Sequence, residues 1–273
     1  MTTPRRHRQS DELHEEIDGI DWYHTLELAP GVVTPGWLDT RRVASQVPFG
    51  SLEGKRCLDI GTFNGFWAFE MERLGADEVI GIDVLNPLDW DWPVGSDEAT
   101  IEAVGERHAE GLGFEIAKRE LSSSVQRIDR SVYELTEEEL GQFDLIYIGS
   151  LLIHLRDPVA ALESVRKVCR GELIVMDGID PFLSLLFRRQ PLAVLNGKGR
   201  PWWWYPNTAA LARMIEAAGF VLEAPPLRVN IPPGEGWSPS RTAFRGLTHR
   251  EGRYRLYVAW RGDPHAVIRA RPG

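Results

Sequence analysis

The chain has 273 residues, a formal net charge of −9 and a sequence pI of about 5.4. This length is enough to bury one large core, so we expect one elaborated domain rather than two equal ones. The acidic balance disfavours nucleic acid as a partner without excluding it, because a local basic patch can coexist with a negative total. No apolar run approaches the length of a membrane span, so we predict no membrane partner. The two cysteines fall at predicted core positions, which is typical of a protein kept in a reducing cytoplasm.

Residues 1–48 are predicted to form an N-terminal tail followed by a lid segment. The first part, to residue 18, is polar and charged, which indicates a mobile tail. The following stretch carries the large rings of Trp22, His24 and Trp37, and two Pro-Gly pairs prevent it from forming one long helix. Two interpretations remain open: a lid over the mouth of the core, or a strap whose aromatic side chains pack against the sheet.

The strongest pattern lies between Lys55 and Val84. A short apolar run at 56–60 predicts a buried strand, and a helical pattern begins at Phe66 after a glycine-rich turn. A second apolar run predicts the next strand, which ends on the acidic side chain of Asp83. This order, a strand followed by a glycine-rich turn, a helix, a second strand and an acidic residue, is the unit that binds adenosine-containing cofactors in open α/β sheets.

The residues of this unit suit a nucleoside ligand. Gly61 and Gly65 let the backbone approach a ligand, and the N-terminus of the following helix directs free N–H groups at the same place. Asp83, about twenty residues beyond the turn, can accept hydrogen bonds from both ribose hydroxyls. Phe66 replaces the third glycine of the dinucleotide fingerprint, which makes a pyrophosphate site less favourable. An ordinary βαβ unit with a helix-capping glycine turn is the alternative interpretation.

The remaining chain alternates strand and helix patterns. Strands are predicted at 125–135 with their exit turn, 143–150, 172–177, 220–224 and 254–260, and helices at 97–112, 158–168 and 207–218. We therefore predict an α/β fold with a Rossmann-like, doubly wound, seven-stranded and mostly parallel sheet. Residues 49–178 would form the cofactor-binding core, and residues 179–273 a substrate insert and the C-terminal strands of the same domain.

The run LDIGTFNG at 58–65 resembles the first motif of the class I S-adenosylmethionine-dependent methyltransferases. A second hallmark of that family, FDLIYIGSLLIHLRDP, follows at 143–158. The resemblance implies S-adenosylmethionine as the cofactor, with the turn after the third strand in contact with the adenine. The residues assigned to cofactor binding are Trp37, Asp59, Gly61, Thr62, Gly65, Asp83, Ser131, Val132, Gly149 and Ser150.

A narrower resemblance connects residues 20–261 with the tRNA wobble-uridine carboxymethyltransferases and their relatives of other function. It is carried by the order of the N-terminal tryptophans, the two motifs above, WWWYPN and RLYVAWR. Family members that use carboxy-S-adenosylmethionine hold its extra carboxylate with a Lys, a Tyr and an Arg. Here His24 and Ile153 occupy the Lys and Tyr positions, and only the Arg is retained, as Arg255 in the last predicted strand. The resemblance therefore implies ordinary S-adenosylmethionine.

Methyl transfer needs mainly in-line positioning and exclusion of water, with a base only where the acceptor must lose a proton. His154 is the first candidate for such a base because it follows the fourth strand, and a structural histidine at a helix entry is the alternative. His24 is the second candidate if the N-terminal segment closes over the site. Asp177 and Asp180 are weaker candidates for contacts with the acceptor or a magnesium ion, and we assign no metal site.

The stretch 179–206 is expected to form a substrate wall. The three adjacent tryptophans at 202–204 cannot all face one core on either a helix or a strand, so at least one should be partly exposed. The residues assigned to substrate binding are Trp22, Trp202, Trp203, Tyr205 and Arg255.

Three functions remain open. The preferred one is O- or N-methylation of a small-molecule acceptor, such as a natural-product intermediate. The second is a tRNA wobble-uridine methyltransferase or carboxymethyltransferase, which would need a basic surface stripe or a carboxylated cofactor. The third is a degenerate methyltransferase fold used as a binding module, which the intact Asp59, Gly61, Gly65 and Asp83 disfavour.

Overall fold

The computed structural model of the protein describes residues 12–108, 111–238 and 250–273. Residues 1–11, most of the predicted tail, lie outside this part. A short helix, α1, occupies residues 12–17. Two short strands, β1 (Glu27–Ala29) and β2 (Val32–Val33), then pair antiparallel as a hairpin.

The remaining strands build the central sheet and one further hairpin. In chain order they are β3 (Arg56–Ile60), β4 (Glu78–Asp83), β5 (Gln126–Asp129), β6 (Phe143–Gly149), β7 (Cys169–Gly178), β8 (Ala193–Leu195), β9 (Trp204–Pro206), β10 (Phe220–Leu222), β11 (Leu227–Ile231) and β12 (Asp263–Pro272). Strands β8 and β9 form the hairpin, and the other eight form the sheet.

The sheet is parallel at its centre and antiparallel at one side. Strands β5, β4, β3, β6 and β7 lie side by side in that order and run parallel. Strand β12 runs antiparallel to β7, and both β10 and β11 pair with the free side of β12. The predicted mostly parallel sheet is therefore confirmed, with one strand more than the seven expected. From β3 the chain continues to β4 and β5 on one side of the sheet, and from β6 it continues to β7 on the other side. Open α/β sheets bind their ligands at the carboxyl ends of the two strands where the order changes in this way, here β3 and β6.

The helices follow the predicted pattern with two differences. They are α2 (Phe66–Arg73), α3 (Glu98–His108), α4 (Leu112–Glu120), α5 (Glu137–Leu140), α6 (Pro158–Val168), α7 (Pro181–Leu186), α8 (Thr208–Ala217) and α9 (Arg250–Arg261). The first difference is that the stretch expected to form one helix over 97–112 belongs to two, because Gly111, with a φ of 77°, precedes α4 and breaks a regular helix.

The second difference concerns the end of the chain. The run 254–260 was predicted as the closing strand, and this prediction was wrong, because the run lies inside α9. The better covered side chains Tyr254, Tyr257 and Val258 are spaced three and four residues apart, which is the period of a helix. The closing strand is β12 instead, where Ala266, Ile268 and neighbouring apolar residues are buried.

Each face of the sheet carries its own hydrophobic core. One face is covered by α2, α4 and the N-terminal segment, which contributes Trp22, Leu26, Leu38 and Phe49 to that core. The other face is covered mainly by α6 and α8. Because the N-terminal segment supplies so many core side chains, its packing favours the strap interpretation over a lid that swings free.

Candidate active site

The glycine-rich turn after β3 is attached to the end of β4. The backbone N–H groups of Gly61 and Thr62 both donate to the carbonyl of Ile82, at 2.9 and 3.1 Å. Gly61 has a φ of 75°, a conformation that favours glycine. These contacts hold the turn against the carboxyl end of β4.

Asp59 lies buried beneath this turn. It accepts hydrogen bonds from the Thr62 hydroxyl, at 2.7 Å, and from the backbone N–H of Ala68 in the first turn of α2. Burial, reinforced by the negative charge of Asp83, raises the pKa of Asp59 to about 7. Its predicted role in cofactor binding would therefore be exerted through the shape of the turn.

Asp83 is half-buried at the end of β4 and faces the same turn. Its Oδ2 atom accepts a hydrogen bond from the Phe63 N–H at 2.8 Å, and its Oδ1 atom from the Val84 N–H at 2.9 Å. Burial raises its pKa to about 6. A carboxylate has about four lone-pair sites, so two remain for the hydroxyls of a ribose.

Gly65 has a structural reason to be glycine besides the approach of a ligand. Its φ is 87°, and a Cβ atom there would lie 2.8 Å from the Phe114 ring and even closer to the ring of Phe69. The close packing of α2 and α4 at this point therefore requires glycine, which the motif alone did not reveal.

An aromatic shelf lies beside Asp83 and was not predicted from the sequence. The Phe63 ring lies 4.8 Å from the ring of His108, which in turn lies 5.3 Å from Trp90. Burial lowers the pKa of His108 to about 4, so its ring is neutral at pH 7. Within the part of the chain that the structure describes, its Nε2 atom has no hydrogen-bond partner.

The predicted adenine-contacting residues lie close to Asp83. The N–H of Arg130 donates to the Asp83 carbonyl at 2.9 Å, which brings the turn after β5 to the end of β4. Ser131 caps the short helical turn that follows, and the Val132 side chain is buried. The turn after β3, Asp83 and the turn after β5 thus form one continuous edge.

Tyr23 joins the N-terminal segment to this edge and was also missed. Its backbone N–H donates to Asn64 Oδ1 at 2.8 Å, and its ring meets the Phe63 ring edge-on at 6.0 Å. Its hydroxyl lies near Ser150, which follows β6. Ser150 Oγ lies 2.9 Å from Nε2 of His265. Gly149 and Ser150 therefore lie where this edge meets a polar cluster.

The other N-terminal candidates have different surroundings. His24 is buried between the rings of Tyr23 and Phe66, and burial lowers its pKa to about 3. Trp22 is only 1% exposed, and its indole N–H donates to the Ile17 carbonyl. The structure thus places Trp22 in the core rather than on an open wall. Trp37 is 46% exposed.

His154 lies beside a group of aromatic rings from the predicted substrate wall. Its Nδ1 atom is 2.6 Å from the carbonyl of Pro201, which can only accept, so Nδ1 carries the hydrogen and Nε2 is the basic nitrogen. Burial lowers the pKa of His154. Its ring is 5.6 Å from Trp202, which stacks on Tyr205 at 5.3 Å. We call Trp202, Tyr205 and Tyr254, whose ring lies 6.3 Å from both, the aromatic wall.

The neighbouring Trp203 anchors this wall to the core. Its indole N–H donates to the Asp91 carbonyl at 2.7 Å, and its backbone N–H to the Ile153 carbonyl at 2.8 Å. All three adjacent tryptophans are half-buried. This agrees with the prediction that three neighbouring side chains cannot all face one core. Arg255, predicted to lie on the last strand, is instead an exposed residue of α9.

Asp177 and Asp180 have structural roles in the loops that surround the site. Asp177 is buried and accepts hydrogen bonds from the backbone N–H groups of Leu151, Leu152 and Gly178. Asp180 caps α7 through the Leu183 N–H at 2.7 Å. Among the described residues, no group of three or more His, Cys, Asp or Glu side chains is arranged to hold a metal ion.

Comparison with known proteins identifies the family. A family model described as "Methyltransferase domain" matches residues 39–224, which is more than half of the chain. The chain belongs to this methyltransferase family. The family and the S-adenosylmethionine cofactor predicted from the motifs are thereby confirmed.

Two curated relatives and one solved structure illustrate the range of the methyltransferase family. A ubiquinone biosynthesis O-methyltransferase of Acinetobacter baumannii (strain AYE) is 31% identical over 177 residues, covering 65% of this chain and 57% of the relative. A tRNA U34 carboxymethyltransferase of Dichelobacter nodosus is 26% identical over 182 residues, covering 63% and 48%. The PH0226 protein of Pyrococcus horikoshii has the same fold, with a TM-score of 0.52 at 14% identity over 86% of this chain and 89% of that one. The chain thus spans about half the length of these curated relatives.

Within the described residues, the methyltransferase contains no helix that is both long and apolar enough to cross a membrane.

Proposed function

We propose that this protein transfers the methyl group of S-adenosylmethionine to a small-molecule acceptor that contains a planar ring. The observation that carries the proposal is the aromatic wall beside His154, at the same carboxyl edge of the sheet as the glycine-rich turn. Stacked, half-buried aromatic rings bind flat apolar ligands well, and His154 offers a polar neighbour for a hydroxyl or amine.

The residues present suit the cofactor. The ribose would be held by Asp83, the adenine by the turn after β5 and the aromatic shelf, and the methionine part by the turn around Gly61. The sulfonium group brings an activated methyl carbon, so the chain itself mainly orients the two molecules and excludes water. Any general base in this proposal is a side chain such as His154.

The surroundings of three residues favour plain S-adenosylmethionine over its carboxylated form. His24, at the position of the carboxylate-binding Lys, is neutral at pH 7 because burial lowers its pKa to about 3. Ile153, at the position of the Tyr, is buried and apolar. Arg255 lies on α9, at the protein surface. Without a positive charge at position 24, an additional carboxylate would lose its main partner.

The first test is calorimetric titration with S-adenosylmethionine and, separately, with carboxy-S-adenosylmethionine. We expect tighter binding of the plain cofactor and weak binding to an Asp83→Ala variant. A preference for the carboxylated form would instead support the tRNA-modifying alternative, which the Dichelobacter relative represents. Failure to bind either molecule would support the degenerate binding module.

The acceptor class is tested by transfer of a labelled methyl group to a panel of phenols, catechols and aromatic amines, with unmodified tRNA in parallel. A Trp202→Ala variant should raise KM for the ring-containing acceptor about tenfold while cofactor affinity stays unchanged, because one stacking ring is lost. The matched variant Trp203→Phe should leave KM unchanged and lower thermal stability. Labelling of tRNA alone would refute the small-molecule proposal.

A further inference from the structure

The loop that carries His154 is held by a carboxylate at each of its two ends. At its start, Asp177 Oδ2 accepts hydrogen bonds from two consecutive backbone N–H groups, at 2.9 and 2.7 Å. At its end, Asp91 Oδ2 accepts one from the backbone N–H of Arg156 at 2.7 Å. Residues 151–156, which we call the His154 loop, therefore have one polar anchor at each end.

The two anchors belong to different parts of the molecule. Asp177 is fully buried in β7, within the central sheet. Asp91 is half-buried in residues 84–93, the loop after β4, which we call the Asp91 loop. The neighbouring Trp90 is part of the aromatic shelf and donates to the Val84 carbonyl at 2.8 Å. The sheet thus fixes the first anchor, whereas the second belongs to the elements that we assign to the cofactor.

The same oxygen of Asp91 also binds the turn after β5, which we assign to the adenine. The Tyr133 hydroxyl lies 2.6 Å from Asp91 Oδ2 and 3.1 Å from the backbone nitrogen of Asp157. Since a backbone N–H can only donate, the hydroxyl accepts from Asp157 and gives its own hydrogen to Asp91. Burial and the hydrogen bond to Asp91 raise the pKa of the Tyr133 phenol, so it keeps this hydrogen at neutral pH. One carboxylate oxygen therefore joins the loops after β4, β5 and β6.

The backbone of the Asp91 loop has contacts of its own that do not involve this carboxylate. The Asp91 carbonyl accepts the indole N–H of Trp203 at 2.7 Å, and the Pro87 carbonyl accepts that of Trp92 at 2.6 Å. Removal of the carboxylate should therefore release Tyr133 and the end of the His154 loop while the Asp91 loop stays folded.

We propose that Asp91 is a positioning residue, which holds His154 in place for the acceptor when the cofactor is bound. The inference rests on the proposed function and adds that cofactor binding prepares the acceptor site. An adenine between the aromatic shelf and the turn after β5 would stabilise the two elements that Asp91 connects. The His154 loop, bound to the same carboxylate oxygen, would be stabilised with them.

The first test needs no acceptor and uses S-adenosylhomocysteine, the demethylated cofactor, as the probe. In nitrogen-15 NMR spectra of the full chain with labelled histidine, the His154 signals are assigned by their loss in His154→Gln. Saturation with the probe should shift the Nε2 resonance of His154 in the wild type. Asp91→Ala should reduce this shift at least about twofold. Asp91→Asn should preserve it, because the amide oxygen can accept the same two hydrogen bonds.

Asp89→Ala is the matched control, because Asp89 lies in the same loop and accepts a hydrogen bond from Asn86 within it. This variant should behave as the wild type. A full shift in Asp91→Ala, or a wild type that binds the probe without any shift of His154, would overturn the inference and leave the proposed function intact. A wild type that does not bind S-adenosylhomocysteine would contradict the proposed function, and the inference with it.

The second test determines whether Asp91 acts through His154, by transfer of a labelled methyl group to hydroxyl acceptors at saturating S-adenosylmethionine. Asp91→Ala should lower kcat about 10- to 100-fold with the acceptor KM within about twofold, since a displaced side chain affects mainly the chemical step. Trp202→Ala, by contrast, should raise KM. Asp91→Asn should keep kcat near that of the wild type.

The double variant with Asp91→Ala and His154→Gln completes the second test. It should be no slower than His154→Gln alone, because both changes remove the same contribution. Losses in kcat that multiply in the double variant would show that Asp91 acts independently of His154 and would overturn the inference.

Discussion

At the level of single residues, two carboxylates on neighbouring strands fix the geometry of the glycine-rich turn after β3. Asp59 accepts a hydrogen bond from the Thr62 hydroxyl, and Asp83 accepts one from the Phe63 backbone N–H. Both are buried enough for their pKa values to rise, to about 7 for Asp59 and about 6 for Asp83. The two therefore change charge in a pH range where most carboxylates stay ionised, with separate consequences for stability and for binding.

The protonation of Asp83 should affect the binding of S-adenosylmethionine. We expect Asp83→Asn to weaken S-adenosylmethionine binding about 10- to 100-fold, because a hydrogen bond to a charged acceptor contributes roughly 1.5–3 kcal/mol. In the wild type, affinity should fall as the pH drops through about 6, where Asp83 becomes protonated. Calorimetric titrations between pH 5 and 8 measure both effects. Affinity that is independent of pH in the wild type would contradict the assignment of the ribose to Asp83.

The ionisation of Asp59 should affect the free energy of unfolding. Its pKa is raised in the folded chain from the ordinary 3.8 to about 7, so its favourable contribution is complete below pH 4 and is lost as the pH rises through 7. Between pH 5 and 8 this loss is on the order of 1–3 kcal/mol. An Asp59→Asn variant should therefore show a flatter dependence of unfolding free energy on pH in urea titrations. Parallel curves for the two proteins would contradict the buried ionisation.

The sequence predicted those residues whose roles depend on local spacing. Asp83 follows the turn at a characteristic separation, and the turn is a short motif, so both could be found without a structure. Tyr23 and His265 could not. Ser150 and His265 are 115 residues apart, and they meet only because the register of β12 places His265 opposite Gly178. No periodicity in the chain encodes that register.

At the level of elements, α4 supports the N-terminal segment through a glycine. A Cβ atom at Gly113 would lie 2.6 Å from the Asn64 amide nitrogen and 3.5 Å from the Trp22 ring. The same Asn64 side chain holds the backbone of Tyr23. The absence of a side chain at this one helical position thus lets the strap, α4 and the glycine-rich turn pack together.

We expect Gly113→Ala to displace Asn64 and destabilise the protein by about 1–3 kcal/mol, which is typical of an overpacked site. Cofactor affinity should fall as well, because the turn and Tyr23 lose their common contact. Thermal melts and calorimetric titration measure the two effects. Leu112→Ala, at an exposed position of the same helix, is the control and should change neither quantity. Unchanged cofactor affinity in Gly113→Ala would show that the turn is independent of α4.

The misassigned closing strand shows where sequence patterns fail at this level. The run 254–260 is rich in aromatic residues, which favour strands, yet its better covered side chains Tyr254, Tyr257 and Val258 are spaced for a helix. The true strand, β12, has arginines and prolines interspersed among small apolar residues. Its burial comes from its position between β7 and the pair β10 and β11, which only the assembled sheet provides.

At the level of the whole molecule, the matched family region and the physical folding unit differ. The match covers residues 39–224, which excludes β1, β2, β11 and β12. Strand β12 nevertheless lies inside the sheet and supplies buried side chains to the cores on both faces. Without it, β10 has no strand to pair with and one side of β7 is left open.

A protein consisting of residues 39–224 alone should therefore show no cooperative unfolding transition, although it contains both sequence hallmarks. Circular dichroism during heating, with the full chain as control, measures this. The variant Ile268→Asp, which buries a charge in β12, should strongly destabilise the full chain for the same reason. A cooperative melt of the 39–224 protein would show that the parallel strands suffice.

Tyr23 is held by Asn64, which accepts a hydrogen bond from its backbone N–H, and by the Phe63 ring, which its own ring meets edge-on. A nucleoside bound along the turn would lie beside Tyr23, so we expect its departure to need the hydrogen bond to Asn64 to open. Opening steps of this kind often limit turnover. Rapid-quench measurements should then show a burst of one methylated product per chain before a slower steady rate, and Asn64→Ala should abolish the burst. A residue of the N-terminal segment would then set how long the spent cofactor stays.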